Sequence, residues 1–158
     1  AHLFFTSLNG KMWRLSTALQ DSPSGFDGCE VALDAEIFEA SHTYRVKGAN
    51  QFVTLIEQDG QRYFKAFVAD RLDGEWKPLA ATAEHPFASH RNVRPAPGAE
   101  PWTDNISHGE LIRDGIDQTL TIDPENLRFV FQGLLEKDKK AKKYGALEWR
   151  IGMLTEAK

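Results

Sequence analysis

Short runs of alternating apolar and polar residues, each closed by a turn signal, dominate the chain. Alternation with period two marks half-buried strands, and no stretch sustains the 3.6-residue apolar period of an ordinary helix. The pattern predicts a strand over residues 2–7, turned by Asn9-Gly10 into a partner over 11–16. Asn-Gly is the strongest short hairpin signal because both positions tolerate positive φ. Ser, Pro and Gly make 21–27 a loop, and a strand with a polar interruption follows over 37–46. Gly48-Ala49-Asn50 turns the chain into 51–58, Asp59-Gly60 turns it into 62–69, and Asp73-Gly74 into 76–79. Prolines keep 83–100 loop-like, and short strands are expected over 107–113, 119–121 and 127–132. A basic, solvated loop over 137–143 and a last strand over 149–154 complete the reading. The class is all-β, built of antiparallel hairpins. Groups of about four strands, recurring every roughly 40 to 50 residues, suit propeller blades; a sandwich or jelly roll suits the same strand count as well.

Composition narrows the function more than the fold. The chain has 158 residues, 41% hydrophobic and 27% charged, a balance suited to one domain with a buried core. No apolar run approaches the ~20 residues of a membrane-spanning helix. Nineteen Lys and Arg stand against 23 Asp and Glu, for a net charge of −4, which argues against a nucleic-acid partner. Cys29 is the one cysteine, so an intrachain disulfide is excluded. Aromatic residues make up 11%, with 4 Trp; such rings serve as sugar-stacking platforms or fill cores. The chain begins without Met and directly in a strand, which suggests a start made by processing or truncation.

Two polar runs stand out as candidate chemistry. In Phe38-Glu39-Ala40-Ser41-His42-Thr43-Tyr44, strand geometry puts Phe38 and Ala40 on one face and Glu39, Ser41 and Thr43 on the other. An aromatic, desolvated setting would favour the protonated form of Glu39 that a general acid needs; a solvated or salt-bridged strand carboxylate is the alternative. The second run is Trp102-Thr103-Asp104-Asn105-Ile106-Ser107-His108-Gly109-Glu110. Its His108 could be a metal ligand, a base or a hydrogen-bonded structural histidine, and no second His or Cys stands at zinc-ligand spacing. Asp114-Gly115 and Asp123-Pro124 lack the spacing of a calcium loop and read as turn chemistry. Cys29 reads as inert. No phosphate-binding loop, dinucleotide fingerprint or nucleophile elbow is present.

Several segments together resemble the C-terminal half of a glycoside hydrolase family 62 α-L-arabinofuranosidase. They are 2–7 with Asn9-Gly10-Lys11, then Ile37-Phe38-Glu39-Ala40, Arg62-Tyr63-Phe64 and Leu72-Asp73-Gly74 with Trp76. Trp102 through Ser107-His108-Gly109-Glu110-Leu111, then 118–124, 127–133, Tyr144 and Trp149-Arg150 follow in family order.

The resemblance implies a secreted five-bladed β-propeller that removes arabinofuranosyl branches from arabinoxylan, or from arabino-oligosaccharides, by hydrolysis with inversion. It makes Glu39 the general acid, and it places both catalytic aspartates, including the general base, upstream of the matching segment. Residues 1–158 are then the C-terminal half of the catalytic domain, incomplete without an N-terminal half supplied as a second chain. Trp102, Asn105 and Tyr144 become candidate substrate contacts. No cofactor is implied for catalysis, but a structural calcium near His108 is. Two positions depart from the family: Glu125 stands where relatives often have a disulfide cysteine, and Gly145 follows Tyr144 where many have an asparagine that contacts xylan. A non-catalytic carbohydrate-binding module and a purely structural, propeller-completing chain are the rival readings.

Overall fold

A computed structural model describes residues 1–58, 60 and 62–157. Among the described residues ten strands form three antiparallel sheets in chain order. The first contains β1 (His2–Ser7), β2 (Gly10–Ser16) and β3 (Asp27–Ile37). The second is a four-stranded meander of β4 (Glu39–Arg45), β5 (Phe52–Gln58), β6 (Tyr63–Ala69) and β7 (Lys77–Ala80). The third runs β10-β9-β8, with β8 at Asn105–Leu111, β9 at Arg128–Leu134 and β10 at Arg150–Thr155. The all-β expectation holds, as does the Asn9-Gly10 hairpin, where Gly10 has φ +83°. The expected turn at Asp59-Gly60 involves Asp59, which lies outside the described residues. Among the described residues no helix is long and apolar enough to cross a membrane.

The second sheet is buried on both faces, and its sequence shows why. Along β5, Thr54 and Ile56 alternate with Val53, Leu55 and Glu57, so both rows are needed for packing. Ile56, with Phe67 and Ala69 of β6, packs on Met12 and Ile37 of the first sheet and on Trp76. Leu55, with Phe64 and Ala66, packs on Ile106, Leu111, Phe129 and Phe131 of the third. The edge-on pairs Phe64–Phe129 and Phe87–Phe129, with centroids 4.9 and 5.4 Å apart, fix that interface. Tyr44 ties β4 to β8 by accepting the Leu111 N–H at 2.9 Å, and burial pushes its phenol far above the usual range.

Four local expectations fail. Residues 27–37 form a long strand that the sequence reading left out, because its outer positions are polar and exposed and β2 supplies the pairing. The single strand expected over 37–46 is broken at Phe38 into the ends of two sheets. Residues 119–121 are not a strand: the Asp117 carboxylate captures the N–H groups of Thr119 and Thr121, a side-chain-to-backbone alternative to a ladder. The expected loop over 137–143 contains the short helix α1 (Glu136–Ala141). Acidic Glu136 and Asp138 in its first turn and Lys139 and Lys140 in its last suit the helix dipole, with a Glu136–Lys140 pair at 3.7 Å.

Candidate active site

Glu39 opens β4 and stands directly opposite Glu57 in the β4–β5 ladder. Residues opposite each other in an antiparallel pair present their side chains to the same face, and like charges there repel. Glu57 continues the row Val53–Leu55 that faces the third sheet, and its side chain is fully buried. A buried carboxylate persists only when its oxygens are paired and hydrogen-bonded. Every such partner is present. Arg62 bonds Oε1 through Nη1, the Ser107 hydroxyl donates to Oε1 at 2.9 Å, and the His108 backbone N–H donates to Oε2 at 2.9 Å.

The same Arg62 nitrogen lies 3.4 Å from Glu39 Oε1 and donates to Ser107 Oγ at 3.2 Å. Burial works against the charge of Arg62, but Glu57 and Glu39 outweigh it and hold the guanidinium above its ordinary value. The guanidinium also rests over the Phe38 ring, 5.4 Å from its centroid.

Two interruptions of the ladders converge on this cluster. The β4–β5 register shifts between Glu39 and His42, where Ala40 has φ +54°. The β8–β9 register shifts between Ser107 and Glu110, where His108 has φ +43°. Bulges re-aim side chains next to functional sites. Here the second bulge lets consecutive residues, Ser107 and His108, both reach Glu57. The His108 ring then lies beside Glu39, with Nε2 3.4 Å from Oε1. Its Nδ1 is approached by Ser107 Oγ at 2.8 Å and accepts the Gln132 amide at 2.7 Å. An Nδ1 that accepts leaves the proton of the neutral ring on Nε2, facing Glu39.

Accessibility separates the two glutamates. The Glu39 side chain is 35% exposed and that of Glu57 0%, so only Glu39 can reach a substrate. Glu57 is closed off beneath it and serves the site by organising Arg62, Ser107 and His108.

Ligand atoms of Glu39, Glu57 and His108 lie within 4.8 Å of one another, which tests the calcium expectation. Calcium takes six to eight oxygen ligands. Both Glu57 oxygens are already committed, and the Arg62 cation occupies the space between the carboxylates. These residues suit a hydrated ion held on the outer side of His108, not a caged one. Such an ion on Nε2 would require Gln132 to present its amide oxygen to Nδ1.

The other expected site residues lie apart from this cluster. Trp102 stacks on Phe131 at 5.7 Å between centroids, its indole edge abuts Gly152, and with Leu134, Leu147 and Arg150 it lines a cavity of about 280 Å³. Asn105 is buried and donates to Asp104 at 2.9 Å and to Glu136 at 3.0 Å. It borders a cavity of about 380 Å³ with His90 and Lys140. Tyr144 is 69% exposed on a single 3-10 turn. Glu57 escaped the sequence reading, and Arg62 and Gln132 entered it only within the resembling segments, with no role assigned. Glu57 alone carried a signal, as a carboxylate in an inward position of an otherwise apolar alternation.

Known proteins resemble this chain along nearly its whole length. The description of glycosyl hydrolase family 62 matches residues 1–155. An α-L-arabinofuranosidase C of Cellvibrio japonicus is 35% identical over 162 residues, covering 97% of this chain and 25% of that protein. The catalytic domain of a family 62 α-L-arabinofuranosidase from Coprinopsis cinerea superposes with a TM-score of 0.89 at 39% identity, over 98% of this chain and 50% of that one. A family 62 hydrolase solved with xylotriose gives 0.88 at 38%, again over 98% and 50%. An α-L-arabinofuranosidase from Podospora anserina, in complex with cellotriose, gives 0.87 at 36% over 98% and 49%. The chain thus spans about half the length of the solved catalytic domains it matches. With a family match along nearly its whole length, the chain belongs to glycosyl hydrolase family 62.

Proposed function

We propose that the enzyme completed by this chain hydrolyses α-L-arabinofuranosyl side chains of arabinoxylan with inversion, and that Glu39 is its general acid. The observation that carries this reading is the pairing of one accessible and one buried carboxylate at the start of β4. In the reaction the Glu39 carboxyl gives its proton to the xylan oxygen as that oxygen leaves the arabinose C1. A water on the opposite face forms the new C1–O bond and loses its proton to a base. In an inverting site the two carboxyl groups stand roughly 6.5 to 9.5 Å apart to admit this water. Glu57, beneath Glu39 and without access, cannot be that base, so the base is assigned to the N-terminal half. The Glu39 carboxylate left behind faces the Arg62 guanidinium and the edge of the His108 ring.

The same reading makes the three sheets consecutive blades of a five-bladed propeller, with the other blades supplied by the N-terminal half of the domain. Tyr144, Trp102 and Asn105 remain candidate contacts to the xylan. Calcium bound through His108 and water would add fixed positive charge that stabilises the fold. A polymeric substrate that cannot cross a membrane supports secretion. The test is an NMR time course of arabinoxylan digestion by the completed enzyme. Free arabinose should appear first as the β-furanose; the α-anomer first, or no arabinose, would overturn the reading.

A further inference from the structure

We infer that Arg62 is a positioning residue for the Glu39 acid, orienting the carboxyl so that its proton resides on Oε2. The inference rests on the hydrolase reading above and adds a residue and an atom to it. The backbone fixes where Glu39 starts, since the Phe38 N–H bonds the Glu57 carbonyl at 2.9 Å opposite it, but it leaves the rotation of the carboxyl to side-chain contacts. Among the described residues the polar neighbours of the Glu39 carboxyl are Arg62 Nη1 and His108 Nε2, each 3.4 Å away and both at Oε1. The oxygen that faces the guanidinium keeps a lone pair for it. The proton of the acid therefore sits on Oε2, and a rotated carboxyl would turn it inward.

Arg62 is itself held from several sides. It spans Glu57 and Ser107, covers the ring of Phe38, the residue just before Glu39, and accepts the Ile106 N–H of β8 on its carbonyl at 3.3 Å. Neutralising Glu57 would need only a charge nearby. Holding Phe38 and Glu39 together with Glu57 and Ser107 needs the flat, branched guanidinium, which a lysine cannot imitate.

Arg62→Lys in the completed enzyme separates these roles, because it keeps a cation over Glu57. Misplacing a reacting group by about 1 Å costs on the order of 10²-fold. The variant should melt within a few degrees of the parent, with arabinoxylan kcat reduced roughly 10- to 100-fold and KM changed less than about twofold. Turnover of a nitrophenyl arabinofuranoside, whose leaving group needs no proton, should fall less than about threefold. Should Arg62→Lys fail to fold, the double variant Arg62→Met with Glu57→Gln removes both buried charges and should show the same split. Equal losses on both substrates, or an unchanged arabinoxylan rate, would overturn the positioning role. A parent enzyme that releases no arabinose would instead overturn the hydrolase reading, and the inference with it.

Discussion

Two carboxylates facing each other across a β ladder repel unless a cation stands between them, and Arg62 fills that place for Glu39 and Glu57. Removing one partner of a buried pair strands the other charge, at a cost of roughly 3 to 5 kcal/mol. Glu57→Ala should therefore lower the melting temperature of the completed enzyme by several degrees. A shift under 2 °C in calorimetry would show that Arg62 is already satisfied without Glu57. His108 bears on the calcium proposal. A ligand held only by the folded state stabilises it by mass action, so His108→Ala should cost more stability in calcium than in chelator; equal shifts would leave His108 with its hydrogen-bonding role alone. At this scale the sequence was half legible. Glu39 could be singled out by its Phe-Glu-Ala setting. Arg62 could not, because it lies beyond the β5–β6 turn and reaches the site only through the fold.

The elements bend where function needs them to. Ser107 and His108 both address Glu57 because the β8 bulge takes His108 out of strict alternation, and the next residue allows it. A Cβ at Gly109 would run into the Phe129 ring. Gly109→Ala should cost roughly 1 to 3 kcal/mol as an overpacked core position and should depress turnover by dislodging His108. A variant with parental melting and activity would show that β8 can shift freely. The hairpins closed at Asn9-Gly10 and Asp73-Gly74 were readable because the turn chemistry is local. β3 and α1 were not: one depends on its partner β2, the other on ion pairs within one turn and on Asp104 accepting the Glu136 N–H. Neither bulge leaves a local mark, since a register shift exists only between two strands.

Across the whole chain, the sheets first and last in sequence carry its exposed apolar rows. Leu3 and Phe5 share one face of β1, and Ile151 and Met153 share one face of β10, the latter pair 75% and 56% exposed. Such rows mark surfaces that another part of a protein covers, and in the propeller reading that part is the N-terminal half. Expressed alone, residues 1–158 should associate or bind hydrophobic dyes, and the N-terminal half added as a separate chain should suppress both. A monodisperse isolated chain with a sharp melt would contradict the need for a companion. All-β architecture was legible from alternation alone; the arrangement of blades around an axis was not, because it is set by contacts between sheets far apart in sequence.

If Glu39 is the acid of an inverting arabinofuranosidase, the cost of losing it must depend on the leaving group. Glu39→Gln in the completed enzyme should lower arabinoxylan turnover by roughly 10²- to 10⁴-fold, the usual contribution of general acid catalysis. It should lower nitrophenyl arabinofuranoside turnover far less and flatten the alkaline limb of the pH profile, since rate is lost there as the acid gives up its proton. Equal losses on the two substrates, with the alkaline limb intact, would contradict the account.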